Sequence, residues 1–158
     1  MIQKLNDEIK EAMRAKDKLR LQTLRSMMND LKNAGIEKKG AKGLTEEVAS
    51  PAEYLEEPEM VKVLQGAAKR RRESIEQYQA GGRPELAEKE EAELKILSEF
   101  LPEALSEDAL RALVAEAIEA AGASSMADMG KVMKEAQPKV AGRADGKAVS
   151  AMVKELLS

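Results

Sequence analysis

The sequence predicts an all-α protein, and three features of its composition support this prediction. The 158 residues include one Phe, two Tyr and no Trp, so the core must be aliphatic. The abundant Leu, Ala and Met favour helices. Only 10 Gly and 5 Pro accompany 35% charged residues, a balance typical of a well-solvated helical protein rather than a disordered chain. The length suffices for one domain or two small ones.

The first 42 residues predict two helices. A three-to-four residue rhythm places Ile2, Leu5, Ile9 and Met13 on one apolar stripe. Asp17 follows the interruption Lys16-Asp17-Lys18, and its carboxylate is suited to cap the second helix. The inner face of that helix carries Leu24, Met27 or Met28, and Leu31. We expect Gly35 and Gly40 to bracket its end.

The middle of the chain predicts a loop and two further helices. Residues 40–57 mix Gly, Pro, Ser and acidic residues without sustained periodicity, which predicts a mobile loop containing at most a short helical turn. Pro58 suits the first turn of a third helix, and Gly81-Gly82 ends it. Its shared face carries Val61, Leu64, Ala68, Arg71, Ile75 and Tyr78. Pro84 then opens a fourth helix.

Leu101-Pro102 predicts a domain boundary, because the residue before Pro avoids helical dihedral angles. We therefore expect an N-terminal helical domain over 1–101 and a small three-helix domain over 102–158. In the second domain, Ser106 caps a helix that Gly122 ends. A shorter helix is predicted from Ala127 to Ala136, with Pro138 stopping it, and Asp145 caps the last helix.

The composition excludes several classes of function. Without Cys or His the chain has no disulfide, thiol nucleophile, Cys/His zinc site or histidine acid-base chemistry. Neither a P-loop nor a GxGxxG motif is present. We predict no catalytic residue, no metal and no cofactor. With no apolar run of membrane length and no signal-peptide core, the expected location is the cytoplasm, without a membrane partner.

Charge alternates in blocks along the chain and predicts pairing between helices. Residues 61–83 carry 6 Lys and Arg against 2 acids, whereas residues 84–108 carry 2 against 9. Arg71 falls on an apolar stripe, so we expect it to reach Glu90 or Glu93. Structural pairing is favoured over RNA contact for the run Lys69-Arg70-Arg71-Arg72.

Two glycine-containing motifs mark the C-terminal domain. Asp128-Met129-Gly130-Lys131 places a glycine at or within a helix, where it is costly unless a close backbone approach requires it. The stretch 142–147, GRADGK, places free N–H groups at a helix N-terminus between Arg143 and Lys147, which can hold a phosphate. As an N-cap, Asp145 would occupy those donors itself. The phosphate site and the capped turn are equally supported.

Three stretches of this sequence resemble the YqeY family of small bacterial proteins. They are KLNDEIKEAMRAKDKLRLQTLRSMMNDLKNAGIE, RRRESIEQYQAGGRPELAEKEEAELKILSEFLPEALSED and DMGKVMKEAQPKVAGRADGKAVSAMVKELL, which together cover nearly the whole chain apart from the 40–57 loop. The residues within these stretches that we single out as motif or structural positions are Arg71, Arg83, Glu90, Glu93, Asp128, Gly130, Gly142, Asp145 and Gly146. Pro84 departs from the family pattern, because family members often have an acidic residue at this position.

The resemblance implies a two-domain helical fold related to the C-terminal part of GatB, a subunit of the tRNA-dependent amidotransferase. In that enzyme the related tail contacts tRNA, while the glutaminase and kinase chemistry lies elsewhere. The resemblance therefore implies a non-catalytic adaptor that binds tRNA or a tRNA-dependent enzyme, with Lys131, Lys134, Arg143 and Lys147 as RNA-binding candidates. We expect no DNA partner.

Two alternatives to the adaptor remain open. One is an RNA-independent protein interaction module that uses the acidic loop or an exposed apolar groove. The other, ranked last, is a glutamine-dependent carbon–nitrogen ligase activity of the kind that the larger relative performs. The sequence makes no prediction of the oligomeric state.

Overall fold

The computed structural model describes residues 1–158 and contains seven α-helices, two short 3-10 helices and no strand. The α-helices are α1 (Ile2–Arg14), α2 (Lys18–Lys42), α3 (Glu57–Ala80), α4 (Pro84–Ser98), α5 (Glu107–Ala121), α6 (Met129–Val140) and α7 (Gly146–Leu157). The 3-10 helices are Pro51–Tyr54 and Met126–Asp128. The all-α prediction is confirmed.

The chain forms two compact units, Met1–Leu101 and Pro102–Ser158, which we call the N-terminal and C-terminal units. In the N-terminal unit, α2 packs against α1, α3, α4 and the 3-10 helix at Pro51–Tyr54. Its largest fully buried apolar side chains are Leu5, Leu24, Met27, Leu31, Leu64 and Leu97. In the C-terminal unit, α5, α6 and α7 enclose a separate core of Val114, Val132, Val140, Val149 and Val153.

Local capping signals place several helix ends where the sequence predicts them. The side chains of Asp17, Ser106 and Asp145 each accept a backbone N–H in the first turn of α2, α5 and α7. Gly122 ends α5 in the left-handed conformation, with φ of 62°. Pro84 occupies the first turn of α4. These caps satisfy backbone groups that a helix end leaves unpaired.

The prediction that α2 ends between Gly35 and Gly40 is wrong. The helix continues through both glycines to Lys42 and ends at Gly43, whose φ is 59°. Gly35 serves tertiary packing instead, because a β-carbon there would lie 2.6 Å from the carbonyl carbon of Pro51 and still closer to its oxygen. The absent side chain lets the following segment approach the helix backbone.

Part of the segment predicted to be a mobile loop is packed onto α2. Ala52 and Leu55 are buried in the core, and the hydroxyl of Tyr54 donates to the carbonyl of Glu46 at 2.6 Å. The ammonium group of Lys39 lies 5.3 Å from the centre of the Tyr54 ring. The segment thus has buried anchors, and its mobility stays a prediction.

The bounds predicted for α6 are also wrong, since the helix runs from Met129 to Val140 and contains Pro138 in its last turn. Pro138 cannot donate a hydrogen bond to the carbonyl of Lys134, four residues earlier, yet the helix continues past it for two residues. The guanidinium of Arg143 donates to the carbonyls of Lys139 and Val140, two of the last carbonyls of the helix, which lack a donor within the helix.

Arg20 ties three helices of the N-terminal unit together. Its guanidinium donates to Glu8 of α1 at 2.6 Å and to Glu99, just beyond α4, at 2.7 Å. The hydrogen bond from Arg20 holds the pKa of Glu99 below its ordinary value near 4.5. Protonation of Glu99 would therefore weaken the contact.

We expect Glu99→Gln to lower the unfolding midpoint in denaturant at pH 7, and to lower it progressively less as the pH falls below about 4.5. A carboxyl whose pKa is depressed on folding stabilises the native state above its unfolded pKa, and this contribution is lost as the pH falls through the folded pKa. Glu76→Gln, which alters an exposed residue outside any ion pair, is the control. A Glu99→Gln deficit that did not shrink as the pH was lowered below about 4.5 would contradict the assignment.

Candidate nucleic-acid interface

Lys131 and Lys134 lie one helical turn apart on the solvent-exposed side of α6. The opposite side of the helix is buried at Val132 and Ala136. The side chain of Lys131 is 74% exposed and its ammonium lies 3.8 Å from the carboxylate of Asp128. Lys134 forms no ion pair. Both ammonium groups are therefore accessible to an anionic partner.

The four predicted RNA-binding residues are distributed from the start of α6 to the first turn of α7. Lys131 lies near the start of α6, about 14 Å along the helix axis from its last residue at a rise of 1.5 Å per residue. Lys147 is in the first turn of α7, which begins after the turn that follows α6. An open array of this kind suits an extended polyanion better than a single small phosphate.

Arg143 is engaged within the fold. Its Nε donates to the carbonyl of Val140 at 3.1 Å and its Nη2 donates to that of Lys139 at 2.7 Å. A cation at this position also compensates the negative end of the α6 dipole. The guanidinium thus holds the turn between α6 and α7, and the geometry does not favour it as a primary RNA contact.

The geometry favours a capped turn over a small phosphate site at the start of α7. The carboxylate of Asp145 accepts from the backbone N–H of Lys147 at 3.4 Å, so the cap occupies a donor that an anion would use. Gly142 supplies a left-handed turn with φ of 73°. Neither Gly130 nor Gly146 has a neighbour within 4 Å of a built β-carbon, so no close backbone approach explains them.

In the basic run Lys69-Arg70-Arg71-Arg72 of α3, two arginines form ion pairs with other helices. The pairing of Arg71 is the one that the sequence predicts. Arg71 donates to Glu90 at 3.1 Å and also to Glu93, which joins α3 to α4. Arg70 lies 3.6 Å from Asp30 of α2. The motif residue Arg83 pairs locally, with its Nε 2.7 Å from Glu85. These contacts account structurally for the arginines that the motifs contain.

A second basic surface, on α2, was not singled out from the sequence. Its four cations recur at seven-residue intervals, as Lys18, Arg25, Lys32 and Lys39. Seven residues are nearly two turns, so these side chains share one face of the helix. The signal was available in the sequence, because residues 1–42 carry 11 Lys and Arg against 6 acids. Only the structure shows which of these charges remain unpaired.

Comparison with known proteins gives one family and three named relatives. The family model described as Yqey-like protein matches residues 2–157. The relatives carry the name "Altered inheritance of mitochondria protein 41, mitochondrial". Those of Vanderwaltozyma polyspora and Lachancea thermotolerans are 32% and 30% identical over 97 residues, which are 61% of this chain and 46% of each relative. The Pyrenophora tritici-repentis relative is 29% identical over 160 residues, covering 99% of this chain and 81% of the relative.

This chain therefore spans less than half the length of two of those relatives. Their printed names place the relatives in mitochondria. No helix of this chain combines the length and apolar character needed to cross a bilayer. The bacterial source and the cytoplasmic location expected from the sequence both stay predictions.

Proposed function

Because this chain belongs to the Yqey-like protein family, whose model matches residues 2–157, we propose that it is a non-catalytic adaptor that binds transfer RNA. The resemblance of its C-terminal unit to the tRNA-contacting tail of GatB supports this proposal. The expected contacts are Lys131 and Lys134 on α6 and Lys147 on α7. The adaptor would present RNA to an enzyme that performs the chemistry.

The observation that carries the proposal is the exposed pair Lys131 and Lys134. A protein of net charge −3 binds a polyanion only where its positive charge is locally concentrated. Lys131 and Lys134 place two exposed ammonium groups one turn apart, and Lys147 is a further exposed cation at the start of α7. Such contacts release counterions, so the binding is expected to be weak and to fall steeply with salt concentration.

The test is the double variant Lys131→Glu with Lys134→Glu, titrated against labelled bulk tRNA at 50 mM and 200 mM salt. We expect its affinity at the lower salt to fall about tenfold or more, with a shallower salt dependence, because two phosphate contacts are lost. The matched control is Lys89→Glu with Lys95→Glu on α4. It changes the net charge equally, but within the acidic block 84–108.

An equal loss in both variants would assign the effect to net charge and contradict the proposed site. Undetectable binding of tRNA by the unaltered protein at both salt concentrations would contradict the function itself. In that event, partners that survive ribonuclease treatment in a pull-down would favour the protein interaction alternative.

A further inference from the structure

One face of α2 carries four cations at seven-residue intervals, which we call the α2 row: Lys18, Arg25 and Lys39 are exposed and Lys32 is half-buried. Met27 lies on the opposite side of the helix from this row, and Leu24 and Leu31 lie about a quarter turn from it; all three are no more than 1% exposed. Successive members are about 10.5 Å apart along the axis, and the row is about 32 Å long. A row of this length is much larger than any single phosphate group.

The α2 row is not neutralised by the fold. None of its four members forms an ion pair, whereas two other α2 cations, Arg20 and Lys38, pair with glutamates. Arg25 makes only a long contact of 3.9 Å to the sulfur of Met13. The acidic residues within α2, Asp30 and Glu37, line a different groove, between α2 and α3. No carboxylate therefore neutralises the row, although the ammonium of Lys39 also lies over the Tyr54 ring.

A groove between α1 and α2 borders the row and contains no carboxylate. Its volume is about 620 Å³, and Arg25 and Lys32 contribute the charge to its lining. The other lining residues are neutral, namely Asn6, Ile9, Gln22, Ser26, Met28 and Asn29. Amide and hydroxyl groups donate hydrogen bonds to phosphate and sugar oxygens without adding charge.

We propose that the α2 row and this groove bind the sugar–phosphate backbone of a double-helical segment of RNA. The inference shares with the proposed function the premise that the chain binds RNA, but it places a contact on the N-terminal unit. RNA helices are recognised mainly through their shape, their phosphates and their 2′-hydroxyl groups, which the groove's cations and amides match. No aromatic residue lines the groove, so base stacking does not contribute and sequence preference is expected to be low.

An anionic bilayer fits this surface less well. A helix that lies in a membrane interface buries a broad apolar face, whereas the exposed side of α2 offers one large apolar residue, Ile36, which is 55% exposed. The groove is concave, and a flat headgroup surface would not reach its amides. The arrangement therefore favours a ligand with a ridge of phosphates, as an RNA helix has.

The experiment titrates a labelled 20-base-pair RNA duplex with the full chain at 50 mM and 200 mM salt. The variant is Arg25→Glu with Lys32→Glu, and the control is Lys89→Glu with Lys95→Glu, which changes the net charge equally. We expect the first to bind about tenfold or more weakly at the lower salt, and the control less than about threefold. The salt slope of the first should fall by about 1.5, because two phosphate contacts are lost. Arg25→Gln with Lys32→Gln, expected to show a smaller loss in the same direction, is the test if the charge-reversed chain fails to fold.

The outcomes separate this inference from the proposed function. Loss of duplex binding in the α2 variant but not in the control supports the inference. If only the Lys131→Glu and Lys134→Glu variant loses RNA binding, the inference is overturned and the proposed function stands. Binding of bulk tRNA without any binding of the duplex likewise overturns the inference and leaves the proposed function standing. Binding to phosphatidylserine vesicles with none to the duplex would also overturn it, by assigning the surface to a membrane.

Discussion

Replacing Arg71 with methionine is expected to lower the free energy of unfolding of the N-terminal unit by about 2–4 kcal/mol. The side chains of Arg71, Glu90 and Glu93 are 16%, 23% and 12% exposed, so the cluster is largely shielded from water. Methionine fills a similar volume but leaves two neighbouring carboxylates without their cation. The repulsion and the lost hydrogen bonds both destabilise the contact between α3 and α4.

Chemical denaturation followed by circular dichroism measures this effect, with Arg70→Met as the matched control. Arg70 is 66% exposed and lies 3.6 Å from Asp30, so its removal should cost less than about 1 kcal/mol. The triple variant Arg71→Met, Glu90→Gln and Glu93→Gln also removes the two unpaired carboxylates. It should therefore recover part of the lost free energy of unfolding. Equal effects of the two single variants would show that Arg71 has no special structural role.

Replacing Gly35 with alanine is expected to destabilise the N-terminal unit by about 2 kcal/mol, in the range of overpacked cores. Alanine is the better helix former by about 1 kcal/mol. Here, however, its β-carbon would overlap the carbonyl of Pro51, which is backbone and has no rotamer to change. The segment carrying Ala52 and Leu55 would have to move off α2, and its buried contacts would be weakened.

Gly40→Ala on the same helix is the control, because no atom lies within 4 Å of a β-carbon built there. It should stabilise the protein by about 0.5–1 kcal/mol through helix propensity alone. In thermal and denaturant unfolding, we expect the midpoint to fall for Gly35→Ala and to rise for Gly40→Ala. A stabilised Gly35→Ala variant would mean that Pro51 does not approach the helix as described.

The two glycines show why the end of α2 could not be predicted from the sequence. Both are weak helix formers, and local propensity alone places a helix end near them. The approach of Pro51 to Gly35 joins positions 16 residues apart, and nothing in the local pattern encodes it. Pro138 misled the prediction for α6, because a proline usually stops a helix, whereas α6 continues to Val140 and the side chain of Arg143 donates to its last carbonyls.

The candidate interface was likewise predicted only in part from the sequence. The sequence identified Lys131, Lys134 and Lys147 as cations near family motifs, and the structure leaves their side chains exposed. It also identified Arg143, whose guanidinium the fold engages in hydrogen bonds. The α2 row was not predicted, because the positive charge of residues 1–42 was interpreted as pairing between helices. The binding of RNA by these cations and the division of the chain into two domains stay predictions.

The sequence by itself determined the helical class, the aliphatic character of the cores and most helix starts. These depend on periodicity and on caps such as Asp17, Ser106 and Asp145, whose interactions reach three residues or fewer. Only the tertiary structure decided which cations remain available to a partner. Arg20 pairs with Glu99, which is 79 residues away in the sequence. Arg25, about one and a half turns further along α2, has no carboxylate beside it. Charge pairing depends on distance in space, and the packing of helices sets that distance.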